Sequence, residues 1–153
     1  MEAAQRFLEA KERLRVGSEQ WAKATAAVFA MLTQEACAEV AKPEWWNDEE
    51  LKALSARVVR AAPNDLIANK MRAAVLSGQC GGAWEEGPRS AAELKEAATL
   101  YDRVAALCPA PAMTAEYTGR ADRCRSRSAA IKRLEAMVEV TWHRPTWPWH
   151  ACG

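Results

Sequence analysis

Histidine is almost missing from this chain: there are only two, His143 and His150, in 153 residues. No G-x-S-x-G or HExxH pattern accompanies them, so neither a triad nor a zinc hydrolase site is indicated. The acidic pairs Glu49-Glu50 and Glu85-Glu86 fall at a helix start and in a loop, where nothing would raise a carboxyl pKa. The chain is therefore expected not to be an enzyme. Five cysteines are scattered without a C-x-x-C pair, which excludes zinc-ribbon and dithiol patterns. His143, His150 and Cys152 lack a fourth ligand and a metal-site spacing, so no metal is expected. The Gly-rich loop 77–89 carries no G-x-x-x-x-G-K-[S/T], so no phosphate cradle and no cofactor is implied.

Long apolar runs are missing too. The longest candidate, Ala24 to Leu32, falls far short of the ~20 residues that span a bilayer. Met1 to Arg15 interleaves acids with bases, which fits neither a secretory signal nor a transit peptide. A cytoplasmic or nuclear location with no transmembrane segment is the expectation. A net charge of +1 argues against nucleic acid as a partner of the whole surface. The charge is unevenly placed, with five acids and one Lys in Glu39 to Glu50, and six bases and two acids in Arg120 to Glu135.

What remains is alanine, thirty-three of them, with abundant Leu, Glu, Lys and Arg. These residues lose little freedom in a helix, and no stretch alternates with the period of a strand. The fold class read from this is all-α. Prolines 43, 63, 88, 109, 111, 145 and 148 mark boundaries between helices.

Six helices are predicted: Glu2 to Arg15; from after Ser18 to Ala41; Asn47 to Ala62; Asp65 to Ser77; Ser90 to Cys108; and one from near Pro111 through Val138. The second carries Trp21, Thr25, Val28, Leu32, Ala36 and Val40 along one side. Asn47 and Glu50 fit a capping-box-like start, with Trp46 placed to staple against Leu51. Ser90 and Glu93 form an S-x-x-E box, and Gly78 suits a left-handed C-cap. Residues 1–140 then make one helical domain, followed by a Trp/Pro-rich tail, 141–153, without helical period.

The segment E-A-A-T-L-Y-D-R-V-A-A-L-C-P, residues 96–109, places Ala97, Tyr101, Val104 and Pro109 at set intervals. This resembles the second helix of a tetratricopeptide repeat. Pro63-Asn64-Asp65 is a weaker upstream echo, 46 rather than 34 residues before Pro109, with the excess in the loop 77–89. The resemblance implies antiparallel helical hairpins stacked as a short array, with Gly119 at a close helix contact. The same helices also suit a closed bundle.

In such an array the first helices of each pair line a groove. The resemblance places Asn69, Lys70, Glu116, Arg120 and Arg123 there, facing a protein or peptide. Trp84 in the long loop either folds back on the helices or stays an exposed partner anchor; with Trp142, Trp147 and Trp149 in the tail it is a further candidate contact. The functional expectation is a non-catalytic scaffold or adaptor for a protein segment. The alternatives are RNA or anionic-lipid binding through the basic helix 120–133, and a structural subunit of a larger assembly.

Overall fold

Side-chain caps set four of the helix starts, each by accepting a hydrogen bond from a backbone N–H three residues on. They are Ser18 to Trp21, Asn47 to Glu50, Asp65 to Ala68 and Ser90 to Glu93, at 2.9–3.1 Å. Glu93 completes the box at Ser90 by accepting from its N–H at 2.7 Å. The computed structural model describes residues 2–142 of the chain. All regular structure within that range is helical: α1 (Glu2–Glu12), α2 (Glu19–Leu32), α3 (Asp48–Ala61), α4 (Leu66–Ser77), α5 (Ala91–Leu107) and α6 (Pro111–Trp142). A short 3-10 turn, Glu35–Cys37, follows α2. No helix among the described residues is long and apolar enough to cross a membrane.

The helices pack in sequence order. Phe29 of α2 meets Trp46 just before α3, while Trp21 meets Arg57 near the far end of α3, so these two run antiparallel. In α5 and α6, Tyr101 stacks on Tyr117 and the Ser128 hydroxyl donates to the Ala91 carbonyl, again an antiparallel register. Between the pairs lies α4, buried on two sides. Ala68, Met71 and Val75 join Trp21, Phe29, Leu51 and Val58 in one cluster. Ala73 and Leu76 join Ala97, Tyr101, Val104 and Tyr117 in another. A helix that fills both layers needs small and apolar residues around most of its circumference, and the sequence A-N-K-M-R-A-A-V-L supplies them.

Three helix boundaries depart from the sequence reading. The first helix ends at Glu12, where Arg13 and Leu14 turn to tighter bonds on Ala10 and Lys11. The second helix stops at Leu32 rather than Ala41. Its cap residue, Thr33, bonds the Phe29 carbonyl with its N–H and the Ala30 carbonyl with its hydroxyl. The reason is tertiary. Val40 packs onto Val28 and Leu32, whereas a continuous helix would carry it about 12 Å beyond Leu32. Ala36, expected on the buried side, is exposed. At the other end α6 runs on through Trp142, so Thr141 and Trp142 belong to the helix and not to the tail.

The loop 78–90 is held down by α3. Arg89 donates two hydrogen bonds to Asp48, at 2.8 and 2.5 Å, and Trp84 Nε1 donates a third at 3.0 Å. Gly78, in the left-handed region at φ +61, turns the chain out of α4.

Candidate functional site

A hollow of about 280 Å³ opens between α2, α4 and α6. One wall is α2, through Ala26, Phe29, Ala30 and the cap Thr33; the other is α4, through Ile67, Lys70, Met71 and Ala74. Gln79 and Cys80 of the loop close one end, and Arg120 reaches in from α6. A second hollow of about 500 Å³ shares Thr33 and Cys80 with it. That hollow continues past Gln34, Glu35 and Lys42 to Gly81 and Gly82.

The two cations at the first hollow are held by aromatic rings. Lys70 Nζ lies 5.6 Å from the centre of Tyr117, and the Arg120 guanidinium carbon lies 5.6 Å from the same ring and 6.0 Å from Tyr101. Such contacts are worth ~0.5–2 kcal/mol and fix where a long cationic side chain points. Arg120 also pairs with Glu116 at 2.6 Å, one turn away on α6. Burial works against the charge on Arg120, but the Tyr101 hydroxyl and Glu116 outweigh it and keep the guanidinium protonated. Tyr101 itself is fully buried, with its hydroxyl 3.1 Å from Ser77 Oγ. Its pKa is raised by burial, with Ser77 and Arg120 working in the opposite direction. Cys80 is pushed up to about 12, by burial first and then by Glu86. Its thiol is neutral at physiological pH, which makes it a small wall residue and a poor nucleophile.

Of the residues that the repeat resemblance placed in a groove, Lys70 and Arg120 do line the hollow. Glu116 is exposed and holds Arg120. Arg123 is exposed but is not part of the lining.

Asn69 is not on a surface at all, being fully buried. Its amide nitrogen donates to the carbonyls of Pro63 and Asp65, at 2.9 and 2.7 Å, tying α4 to the turn before it. Of the two readings of Trp84, the first holds: it folds back on the helices and is not an exposed anchor. It packs into the first core cluster against Phe29 and Trp46, where its N–H finds Asp48.

Gly119 does not sit at a close helix contact. A Cβ there would meet only the Arg123 side chain, at 3.6 Å. Trp142 ends α6, while Trp147, Trp149, His143, His150 and Cys152 lie outside the described residues. Among the described residues, no group of three or more His, Cys, Asp or Glu side chains could hold a metal ion.

The basic run on α6 is divided among separate tasks. Arg120 turns to the hollow, Arg125 pairs with Asp102 and Asp122, and Arg127 donates to the Ser77 carbonyl at 2.7 Å. Arg123, Lys132 and Arg133 are left facing solvent on different sides of the helix.

Sequence reasoning missed the apolar floor of the hollow and the Asp48–Arg89 clasp. The clasp left one trace: Arg89 is the sole base in a loop whose acids are Glu85 and Glu86, and Asp48 opens the acid-rich start of α3. No family model, curated protein or solved structure matches this chain.

Proposed function

We propose that this chain is a non-catalytic helical scaffold that binds a protein or peptide segment in the hollow between α2, α4 and α6. The observation that carries the reading is a hollow whose lining joins Lys70 and Arg120 to the apolar Phe29 and Met71. Concave sites with a mostly apolar lining and a few convergent polar groups are where ligands bind. The alternation of lining helices α2, α4 and α6 with α3 and α5 supports a tetratricopeptide-like hairpin order, in which first helices present the groove. Dispersal of the α6 arginines among intramolecular partners disfavours RNA or anionic lipid as the ligand of that helix.

The test is selection of displayed octapeptides on the wild-type protein and on Ala30→Trp, whose indole fills the hollow. Selected peptides bind the wild type at least tenfold more tightly than the filled variant. Equal binding to both, or no selected peptide, rejects the reading.

One observation favours a second reading, a subunit of a larger assembly. Past Ser128, α6 extends beyond the start of α5, and there Leu134, Val138 and Val140 are 62%, 55% and 69% exposed. Obligate co-purification that is lost on Leu134→Lys would support it, and a monodisperse monomer that binds octapeptides would oppose it.

A further inference from the structure

We infer that the overhanging end of α6 is a dimer interface: residues 129–142 pair lengthwise and antiparallel with the same residues of a second copy, and Leu134 of each copy seats against Val138 of the other. This goes beyond the groove reading and uses none of the groove's lining.

The face is built and unpartnered. Ser128 lies level with Ala91, the first residue of α5. The fourteen residues of α6 beyond it, 129–142, therefore project about 21 Å past α5. From Lys132 to Val140 every residue is exposed. Yet the stripe that buries α6, Tyr117, Ala121, Cys124 and Ser128 at steps of four, three and four, does not stop there. Half-buried Ile131 continues it, and Leu134 and Val138 follow at steps of three and four. Ile131, Val138 and Val140 are β-branched, so this end owes little to intrinsic helix propensity. A helix of such composition is held by packing its apolar face.

Length and charge select a second copy as the partner. An antiparallel copy centred near Ala136 overlaps the whole overhang and brings its tip level with Ala130, just clear of α5. Leu134 then stands opposite the partner's Val138, and Val138 opposite the partner's Leu134, the self-complementary relation of a two-fold interface. Beside this seam one side of the helix carries Lys132, Glu135 and Glu139 in that order. Reversal sets Lys132 beside the partner's Glu139 at both ends, the kind of flanking pair that fixes orientation in paired helices. The two Glu135 side chains come near the axis and offset part of this gain, while Arg133 faces away from the seam. A parallel copy would drive the two bodies into one space, because Arg127, one turn before Ile131, already reaches Ser77 of α4. Two overhangs of this length fall at the small end of specific interfaces, below about 1,200 Å², which sets dissociation at about 1–100 μM.

The experiment is sedimentation equilibrium of the full chain across that concentration range, with urea midpoints as the check on folding. The wild type approaches twice the chain mass as concentration rises, and Leu134→Lys stays monomeric at an unchanged midpoint. Lys132→Glu weakens the dimer about tenfold, and adding Glu139→Lys to the same chain restores it to within about threefold of the wild type. Glu135→Gln tightens it. A wild type that stays monomeric, a dimer indifferent to Leu134→Lys, or a double reversal no better than Lys132→Glu overturns the inference. So does a monomer whose slow amide exchange at Leu134 and Val138 is lost on deleting residues 143–153, which gives the stripe to the chain's own end. Octapeptide binding separates this inference from the groove reading. Leu134→Lys is expected to bind peptide as the wild type does, because Leu134 lies about 21 Å along α6 from Arg120. Failure of the dimer alone leaves the groove reading standing, and failure of peptide binding alone leaves the dimer.

Discussion

Asp48 and Arg89 stand 41 residues apart in the chain and are joined by two parallel hydrogen bonds, at 2.8 and 2.5 Å. The Arg89 side chain is only 3% exposed, and Trp84 and Lys52 add a third and fourth contact to the same carboxylate. This clasp fixes the loop 78–90 against α3, and so fixes the wall that Gln79 and Cys80 give to the groove. Removing one partner of such a pair strands the other charge. Arg89→Met is therefore expected to lower stability by about 2–3 kcal/mol in urea denaturation. The Asp48 carboxyl is held far below the usual carboxylate range, foremost by Arg89. Its contribution is complete above its unfolded pKa of about 4 and is lost as pH falls below that. The stability gap between wild type and Asp48→Asn should therefore shrink from pH 5 to pH 2; a gap that stays constant contradicts the assignment.

Tyr101 makes a narrower claim. Its ring is buried against Tyr117 and its hydroxyl meets Ser77 Oγ at 3.1 Å. Tyr101→Phe keeps the ring and should cost about 1 kcal/mol, whereas Tyr101→Ala should cost about 3–5 kcal/mol by opening a cavity between α4, α5 and α6. Equal losses for the two variants, read by thermal unfolding, would place the energy outside the ring packing.

Gly119 is expected to be replaceable. It lies within α6, has no positive φ, and would present a new methyl only to the movable Arg123 side chain. Gly119→Ala should raise stability by about 0.5–1 kcal/mol, because glycine loses more chain entropy than alanine in a helix. Destabilisation would reveal a close contact at that position.

Cys80 should be slow to alkylate. Its pKa, pushed up to about 12, leaves far less thiolate than a free cysteine carries, roughly a thousandfold less. At pH 8, iodoacetamide labelling followed by mass spectrometry should find the Cys80 peptide protected in folded protein and labelled in guanidinium. Since the folded pKa lies above the unfolded one, this thiol's contribution to stability is full below pH 9 and declines between pH 9 and 12. Comparable labelling in the two states contradicts a half-buried, neutral thiol.

How much of this was legible in the sequence follows the range of the interaction. Ser90–Glu93, Asn47 and Gly78 act within three or four residues, so their motifs could be read directly. The end of α2 could not, because it is fixed by Val40 and Trp46 returning onto Val28, Leu32 and Phe29. Asn69 was placed on the groove face by the repeat-like register. Here two nearby carbonyls receive its amide while α4 is buried on both sides. Trp84 belongs to the core through a partner 36 residues away, a pairing that no local pattern signals. Lys70 and Arg120 were found by their positions in a repeat-like register. Phe29 and Met71 beneath them were indistinguishable in sequence from ordinary core residues.

The central claim is that the hollow between α2, α4 and α6 is the binding site. Titrating a selected octapeptide into 15N-labelled protein tests it most directly. The account predicts amide shifts concentrated at Phe29, Ala30, Thr33, Lys70, Gln79 and Arg120, abolished in Ala30→Trp. Shifts confined to the exposed end of α6, around Leu134 and Val138, would contradict it.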